Sequence, residues 1–527
     1  MGDELKVILA GYTVDAEVIE KAKRGGSVNP DEFSPECVPA AYARISRDPR
    51  EIPELRADSR TDVEAARKSN ANIIFDMGHK AVGNIATFQF DIIGLSRLAV
   101  EELEERRIAS GYIEKSQRYI KMKGDFIVPK EYSPIDAVKF RHLVEKVQNR
   151  FYLDNVDKLI ELQFSKNPDL AAKAREAMSK GVSDKMNRVK NTLEGWGKED
   201  TRYSLGLSTQ AQIGTAFSAT SLEHAIRNMK YSELAEARDL AQKLFDVTKN
   251  IAPSLILYTD PEIFQKSFKG KELHDENFRE TPRHMKKVVE ETFERLKWVP
   301  QLSVYTTKSK GDTTMVRCND PDTNVMAALL FTNSKMPIEF CYRVAAYMKS
   351  NGEEALNFMK AIHQYVTEFD NPPREFESSS QFTYEVKLSS SAFAQLKRHR
   401  MMTLLSQDYD TDLGIVVPES VKEAGLEQQL RDTCGRSAEL YREFLPRYGK
   451  AAEYCLTNAH MRRVLVSINP REINHLSRQR CDSHAQWDIR QHAHDMLYLG
   501  KEIAPLALLL ACGKDEFAEL HKKIYGE

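Results

Sequence analysis

The stretch QFTYEVKLSSSAFAQLKRHR (381–400) contains two patterns of hydrophobic spacing, one after the other. Aromatic and aliphatic residues alternate over QFTYEVKLS (381–389), which predicts a half-buried β-strand. The spacing then becomes that of a helix over SSAFAQLKRHR (390–400), and this part ends in three basic residues. The sequence therefore predicts a strand, a serine turn and a helix with a basic end.

A similar segment occurs in the first half of the chain. TFQFDIIGLS (87–96) alternates in the same way, and the helical pattern SRLAVEELEERR (96–107) follows it. The correspondence extends to two later segments, 219–242 and 471–494, which are both long helical patterns followed by a proline. An order of elements that recurs in this way predicts two copies of one fold.

The repeat sets the predicted domain organisation. We place the first copy at residues 1–262, a helical linker at 263–295 and the second copy at 296–527. The segment 136–195 is rich in Lys, Glu, Leu and Ala and should form long helices. The predicted fold class is α+β, with two tandem domains that each pack helices on a β-sheet and together form a pseudo-dimer.

The composition is that of a soluble globular protein. The chain has 527 residues, of which 41% are hydrophobic and 29% charged, and its formal net charge is -2. This charge creates no overall basic field, so we expect no nucleic-acid partner. The cysteines are scattered and form no CxxC pair, which fits a reducing cytosol. The longest apolar run, APLALLLAC (504–512), is too short to span a bilayer and should form a core helix. We therefore expect a cytoplasmic protein without a membrane partner.

The basic end of the second-half helix contains candidate ligand-binding residues. On a continuous helix, Gln395, Arg398 and His399 would share one face, which would suit an anionic or heteroaromatic ligand. The alternative is a solvated cationic helix C-terminus, which also interacts favourably with the helix dipole. The residues alone leave both interpretations open.

A second candidate group lies in INPREINHLSRQRCDSHAQWDIR (468–490). Asn469 can cap a helix there, and Arg480 and His484 are four residues apart, which would place them on one helix face. The alternative is a surface-exposed helix. The spacing of His484, His492 and His494 matches no common zinc pattern, so we expect no metal.

The first half carries different polar residues after its helix. EKSQRY (114–119) places Glu114, Ser116 and Arg118 at alternate positions, which point the same way in an extended segment. A serine and an arginine can hold a phosphate while a carboxylate accepts from a sugar hydroxyl. A capped polar turn is the alternative. Arg202 lies further along, in KEDTRY (198–203).

Together these segments resemble the flavin-dependent thymidylate synthases. That family has a signature close to QLxRHRxxSxNExSxRY, and QLKRHR (395–400) matches its beginning. A later family segment is close to NxRxLxxFLxxRxxxHAQWEIR, and 469–490 matches it. In the first half, the segment 107–119 resembles the same signature, and the segment 78–97 resembles the part of the family pattern that precedes it. ARIS (43–46) resembles an early family motif.

Neither copy matches the family pattern completely, and the losses are complementary. The second copy has Ser406, Asp408 and Asp410 where the family has Glu, Ser and Arg. It also has Glu453 at the position that is equivalent to Arg202 in the first copy. The first copy has Glu105-Arg106-Arg107 in place of RHR, and its other equivalents differ as well: Glu102 for Gln395, Met229 for Arg480 and Glu233 for His484. In the family each active site lies between subunits of a homotetramer. The resemblance therefore implies one composite site between the two halves, and a homodimer of this chain that mimics the tetramer.

The resemblance also implies a reaction and its ligands. It implies FAD as cofactor, deoxyuridine monophosphate as the nucleotide, and methylenetetrahydrofolate and NADPH as co-substrates in the reductive methylation of the pyrimidine at C5. Arg480 would be the catalytic residue, because it would donate to the pyrimidine edge. The implied substrate-binding residues are Glu114, Ser116, Gln117, Arg118, Arg202, Gln395 and Arg480. The implied cofactor-binding residues are Arg398, His399, Arg400, Asn469, Arg471 and His484.

Two other functions fit the same residues. A related flavin-dependent enzyme could modify another pyrimidine nucleotide, since both copies diverge from the family pattern. A homologue with a decayed site could bind flavin or nucleotide without catalysis. A nucleic-acid binder that uses the arginine-rich helix ends is disfavoured by the near-neutral charge.

Overall fold

The computed structural model describes residues 4–105, 108–183, 186–260, 262, 264–265, 273, 279–296, 308–378 and 381–526. The strands of the first half are β1 (Lys6–Tyr12), β2 (Thr87–Ser96), β3 (Ser110–Glu114) and β4 (Gln210–Ser218). Its α-helices are α1 (Ala16–Lys23), α2 (Cys37–Arg44), α3 (Ile52–Thr61), α4 (Val63–Asn70), α5 (Arg97–Leu103), α6 (Pro134–Leu143), α7 (Asn149–Lys166), α8 (Pro168–Ser179), α9 (Arg188–Thr201), α10 (Ala219–Lys230) and α11 (Ala235–Thr248).

The helix α12 (Thr281–Arg295) follows the first half, and its residues are mostly exposed. The strands of the second half are β5 (Lys308–Lys310), β6 (Thr313–Cys318), β7 (Phe382–Ser389), β8 (Thr403–Ser406) and β9 (Met461–Ile468). Its helices are α13 (Pro321–Thr332), α14 (Ile338–Ser350), α15 (Gly352–His363), α16 (Ser390–Leu396), α17 (Glu419–Glu423), α18 (Glu427–Tyr448), α19 (Pro470–Arg480), α20 (Trp487–Ile503) and α21 (Phe517–Tyr525). The proposed domain limits at 262 and 296 stay predictions.

Short 3-10 and π segments connect several of these elements. The 3-10 segments are Pro30–Phe33, Lys80–Asn84, Arg202–Ser204, Leu257–Thr259, Arg374–Glu377, Thr411–Leu413, Gly449–Cys455 and Lys514–Glu516, and the π segments are Ala71–Asp76 and Val144–Gln148. None of the described helices combines the length and the apolar composition needed to cross a bilayer.

The two sheets share one topology. The first has four antiparallel strands in the order β1-β2-β4-β3, and the second has five in the order β5-β6-β7-β9-β8. Without β5, the second order repeats the first, with β6, β7, β9 and β8 in place of β1, β2, β4 and β3. This repetition confirms the predicted α+β class with two tandem units.

Alternation of buried side chains explains the central strands. Phe88, Phe90 and Ile92 on β2 are fully or almost fully buried, as are Phe382 and Tyr384 on β7. Each strand ends in a serine that caps the helix after it, in agreement with the predicted strand, serine turn and helix. The Oγ of Ser96 accepts from the N–H of Ala99 at 3.0 Å, and the Oγ of Ser389 accepts from the N–H of Ala392 at 3.0 Å.

Three of the predicted helices differ from the expectation. The patterns at 219–242 and 471–494 each form two helices with a turn between them, so α10 is followed by α11 and α19 by α20. The apolar run 504–512 is not a helix. It forms successive turns after α20 ends at Ile503. Most of its residues are nevertheless buried. The prediction of long helices over 136–195 is confirmed.

The two units pack closely on one another. Backbone hydrogen bonds join 203–207 to 456–459: the N–H of Leu207 donates to the carbonyl of Leu456 at 2.8 Å, and the N–H of Asn458 donates to the carbonyl of Leu205 at 2.9 Å. Phe444 and Tyr454 of the second unit lie in the hydrophobic core of the first. The units therefore form the predicted pseudo-dimer.

Side-chain contacts repeat across this interface with pseudo-two-fold symmetry. The hydroxyl of Tyr203 donates to Asp488 at 2.7 Å, and at the equivalent place the hydroxyl of Tyr454 donates to Glu236 at 2.7 Å. Ser389 donates to Asp488, and the backbone N–H of Ser96 donates to Glu236. Each unit therefore inserts a tyrosine beside a carboxylate of the other.

Candidate functional site

The 114–119 loop begins where β3 ends, and residues of both halves anchor it. The Oγ of Ser116 accepts from the backbone N–H of Arg118 at 3.1 Å, which folds the loop into a turn. The Nδ2 of Asn458, in the second half, donates to Oε1 of the buried Gln117 at 3.0 Å. The second half therefore helps to fix a loop that belongs to the first.

Glu114 joins the halves through two arginines. Its carboxylate accepts from Nη1 of Arg97 at 2.7 Å and from Nη2 of Arg398, in the second half, at 3.1 Å. Burial acts to raise the pKa of Glu114, but the guanidinium of Arg97, with Lys397 and Arg398, holds that pKa below its ordinary value. Glu114 is thus an ionised carboxylate that orients Arg398.

Arg118 also reaches across the interface. Its Nε donates to Glu199 at 2.5 Å, and its Nη2 donates to the backbone carbonyl of His484 at 3.4 Å. The contact with His484 places the 114–119 loop next to the segment that connects α19 to α20. The first-half loop therefore faces the second-half helices.

Arg202 is a buried cation with unused donors. Its Nε and Nη2 have no hydrogen-bond partner within the part of the chain that the structure describes. Burial, together with the nearby guanidinium groups of Arg118 and Arg97, lowers the pKa of Arg202. Buried donors are normally satisfied, so this arrangement fits a bound anion.

Arg480 ends α19 and is held from two sides. Its Nε donates to Nε2 of His399 at 3.1 Å, and its Nη2 donates to the backbone carbonyl of Gln395 at 3.4 Å. Burial, followed by the charges of Arg398 and Arg118, lowers the pKa of Arg480 to about 10. Because Arg118 belongs to the first half, Arg480 lies within electrostatic reach of the 114–119 loop.

A chain of amide and hydroxyl groups crosses the interface beside Arg480. The Nε2 of Gln395 donates to Oε1 of Gln486 at 3.1 Å, and Nε2 of Gln486 donates to the hydroxyl of Tyr203 at 2.9 Å. Trp487 stacks on Tyr203, with ring centroids 5.7 Å apart, and its Nε1 donates to Asp200. The Oε1 of Gln395 has no partner among the described residues and is free to accept from a ligand.

The prediction that Gln395, Arg398 and His399 share a helix face is wrong. The helix α16 ends at Leu396, and 397–400 form a turn. At the point where the helix ends, the side chain of Lys397 is buried against Glu104 of the first half, with Nζ 2.8 Å from Oε2. The contact between the halves thus outweighs the local helical pattern.

The turn sends the three basic side chains in different directions. Arg398 reaches Glu114, His399 reaches Arg480, and Nη1 of Arg400 donates to the backbone carbonyl of Ser110 at 2.6 Å. Arg398 and Arg400 also line a small cavity of about 70 Å³ between the halves, whose other lining residues are Glu104, Tyr112 and Lys397. Arg398 and Arg400 therefore face a cavity at the interface.

The prediction that His484 shares a face with Arg480 is also wrong. Because α19 ends at Arg480, His484 lies in the following loop, and its side chain is 85% exposed. Its Nδ1 lies 2.7 Å from Asp482, and only its backbone carbonyl contacts Arg118.

Asn469 and Arg471 are engaged at the start of α19. The side chain of Asn469 accepts from the N–H of Glu472 at 2.9 Å and caps the helix as predicted. Arg471 donates to Glu377 at 2.6 Å and to the carbonyl of Pro372 at 2.9 Å. The structure does not bring these two side chains to Arg118 or Arg480, and their assignment to the cofactor stays a prediction.

His399, Glu472 and His475 are the described residues that could hold a metal. One ligand atom from each lies within 4.8 Å of the others. The sequence draws attention to other histidines, His484, His492 and His494, and gives no signal for this group. Arg480 donates to one nitrogen of His399, so a metal on the other nitrogen would need an imidazolate. This geometry disfavours a metal.

Comparison with known proteins identifies the family. A family model described as thymidylate synthase complementing protein matches residues 31–254 and 317–506, one segment in each half. The chain belongs to this family.

Relatives within this family are of two kinds. A protein named UPF0159 protein from Thermoplasma acidophilum is 21% identical over 496 residues, which cover 88% of this chain and 93% of the relative. One of the same name from Chlamydia pneumoniae is 21% identical over 427 residues, covering 79% and 75%. The flavin-dependent thymidylate synthase of Clostridium tetani is 26% identical over 232 residues, covering 43% of this chain but 83% of that enzyme. The similarity to that enzyme thus extends over about the length of one of the two units of this chain.

Several residues that complete the site were not predicted. Arg97 and Glu199 hold Glu114 and Arg118, while Asn458 and Gln486 fix Gln117 and Gln395. Arg97 and Gln486 stand inside the quoted family-like segments, so a signal for them existed. Glu199 and Asn458 stand outside the strongest matches and become recognisable only from their contacts.

Proposed function

We propose that the chain is a flavin-dependent thymidylate synthase-like enzyme with one composite site between its halves. Its substrate would be deoxyuridine monophosphate, methylated at C5, with methylenetetrahydrofolate as the carbon donor and NADPH as the reductant of FAD. Family membership supports the reaction class, and the similarity to enzymes named flavin-dependent thymidylate synthase supports the flavin.

One observation carries the proposal. The 114–119 loop of the first half lies against the segment after Arg480 in the second. Close to Arg118, Arg202 buries two donors that have no partner within the described part of the chain. Such an arrangement can hold a nucleotide phosphate with Arg118 and Arg202 while Arg480 reaches the base. An enclosed, low-dielectric position strengthens each of these charge-assisted contacts.

Two arginines at the interface support the choice of a flavin. Arg398 and Arg400 line the cavity between the halves, and their guanidinium groups suit the pyrophosphate or ring oxygens of FAD. FAD when bound would supply the hydride chemistry of the reaction. The chain itself would bind and orient the nucleotide, and Arg480 would stabilise negative charge on the pyrimidine ring.

Release of tritium from position 5 of labelled deoxyuridine monophosphate tests the proposal. We expect release that depends on FAD, the folate and NADPH. A panel of other labelled uridine nucleotides distinguishes an enzyme with a different pyrimidine substrate. Absence of release with every nucleotide, in a protein that has been shown to bind flavin, would contradict the enzyme proposal.

A non-catalytic flavin- or nucleotide-binding protein is the second candidate. It is favoured by the divergence of the second copy, which has Ser406, Asp408 and Asp410 where the family pattern has Glu, Ser and Arg. Binding of FAD and nucleotide without turnover would support it.

We also propose that two chains associate, in imitation of the family's four-subunit assembly. Light scattering after size-exclusion chromatography should give twice the monomer mass. A monomer that retains full activity would contradict this part of the proposal.

A further inference from the structure

Arg480, His399 and Glu472 form a line of three side chains. The Nε of Arg480 donates to Nε2 of His399 at 3.1 Å. On the opposite side of the imidazole, Nδ1 lies 3.5 Å from Oε1 of Glu472. His399 and Glu472 are both buried, at 3% and 6% exposed.

The hydrogen bond from Arg480 determines the tautomer of His399. An arginine Nε always carries a hydrogen, so Nε2 of His399 must be the acceptor. The proton of a neutral imidazole is then on Nδ1, the nitrogen that faces Glu472. Burial, with Arg480 and His475 nearby, lowers the pKa of His399 well below its ordinary value, which keeps the ring neutral.

Glu472 is therefore placed to accept from this Nδ1–H. At 3.5 Å the contact is long, and Nδ1 has no hydrogen-bond partner among the described residues. Catalytic hydrogen bonds of ligand-free proteins are often long and shorten when substrate binds. Burial raises the pKa of Glu472, but either protonation state leaves an oxygen that can accept.

We propose that Glu472 is a positioning residue that holds His399 in the Nδ1–H tautomer, so that Nε2 can hold the Arg480 guanidinium against the pyrimidine. This inference rests on the proposed function of Arg480. It assigns His399 to Arg480, whereas the sequence resemblance assigns it to the flavin. Nothing in the sequence motif indicates a role for Glu472 beyond helix capping.

The experiment separates binding of the base from binding of the phosphate. Affinities for deoxyuridine monophosphate and for 2-deoxyribose 5-phosphate, which lacks the base, are measured by calorimetry in wild type, Glu472→Leu and Glu472→Gln. We expect Glu472→Leu to weaken nucleotide binding about tenfold, as loss of a supporting hydrogen-bond partner typically does, and to leave sugar-phosphate binding unchanged. Glu472→Gln retains an acceptor oxygen and should restore most of the nucleotide affinity.

Asp322→Asn is the matched control. Asp322 is a buried carboxyl of the second half, and burial raises its pKa as it raises that of Glu472. It accepts from the N–H of Ala507, and none of its contacts among the described residues is with His399. This variant should bind both ligands like wild type. Equal losses for both ligands in Glu472→Leu, or full nucleotide affinity in that variant, would overturn the positioning role.

Two further outcomes are distinguishable. If wild type binds deoxyuridine monophosphate no better than the sugar phosphate, the proposed function fails together with this inference. If purified wild type contains one equivalent of a transition metal that is lost in His475→Ala, then His399, Glu472 and His475 form a metal site, and the positioning role is overturned while the nucleotide site can stand.

Discussion

The composite site and its pseudo-symmetric counterpart use equivalent positions with opposite charges. Arg118, Arg202 and Arg398 at the composite site correspond to Asp410, Glu453 and Glu105 at the counterpart. Arg480 corresponds to the uncharged Met229, which is buried in the core. The composite site thus carries guanidinium groups where the counterpart carries carboxylates.

The counterpart is also closed by its own ion pairs. Lys450 contacts Asp408 at 2.8 Å and Glu453 at 2.9 Å. Arg462 contacts Glu101, and its guanidinium lies over the ring of Phe393. At the composite site, Nε and Nη2 of Arg202 have no hydrogen-bond partner among the residues that the structure describes. The proposed ligand site and its counterpart therefore differ in how their charged side chains are engaged, because those of the counterpart pair with one another.

Loss of Arg480 should have the largest effect. We expect Arg480→Ala to lower turnover about a thousandfold, because a donor to charge on the pyrimidine is removed. Flavin absorbance should stay at the wild-type level. Met229→Leu at the counterpart should leave turnover unchanged. A rate for Arg480→Ala within threefold of wild type would remove the functional distinction between the two locations.

Loss of the buried pair between Lys397 and Glu104 should have the next largest effect, which is on the stability of the fold. These residues occupy equivalent positions in the two halves and contact each other at 2.8 Å. Lys397→Ala leaves Glu104 buried without its partner and should lower the free energy of unfolding by about 3 kcal/mol in chemical denaturation. The exchanged pair, Glu104→Lys with Lys397→Glu, should recover most of this loss. If the exchanged variant is no more stable than the single variant, the contact is not a simple charge pair.

Removal of Arg118 should weaken nucleotide binding. We expect Arg118→Ala to raise the calorimetric Kd of deoxyuridine monophosphate about thirtyfold, because a charge-assisted contact to the phosphate is lost. Asp410→Ala, at the equivalent counterpart position, should change the Kd less than twofold. The reverse ranking would exchange the roles that we assign to the two locations.

The smallest effect concerns Glu102, whose equivalent in the second half is Gln395. Burial raises the pKa of Glu102 from 4.5 to about 7. Between these values the folded state binds more protons than the unfolded state, so stability falls as pH rises from about 4.5 to 7 and then levels off. Glu102→Gln should remove this fall and increase the free energy of unfolding at pH 8 by about 1 kcal/mol, since the side chain is partly exposed.

Denaturation curves at several pH values measure this effect. Glu176→Gln removes an exposed carboxylate on α8 and serves as the control. An unchanged slope in Glu102→Gln would show that folding does not raise the pKa of Glu102.

The sequence predicts the elements better than the contacts between them. The alternation of apolar residues that includes Phe88 in one half and Phe382 in the other predicts the central strands. Burial of one sheet face requires an apolar side chain at every second position. The end of α16 cannot be predicted, since every residue from Lys397 to Arg400 is compatible with a helix. The helix ends there because Lys397 pairs with Glu104, a residue of the other half.

The same limit applies to the site. The complementary losses predict that 114–119 and Arg480 belong together, because each half lacks what the other retains. The partners that hold them, such as Glu199 and Asn458, are distant in sequence and have no spacing pattern. For His484 the sequence is misleading. Its position matches a family motif and predicts a ligand contact, but its side chain faces solvent.

Phe444, Tyr454 and Leu456 lie in the same hydrophobic cluster as Phe140 and Leu143 of the first half. During translation, the first half therefore emerges from the ribosome before the side chains that complete its core have been synthesised. Until residue 456 has emerged, this half exposes apolar surface, which places it at risk of aggregation. Chaperone demand during translation should consequently be greatest in the interval between the two halves.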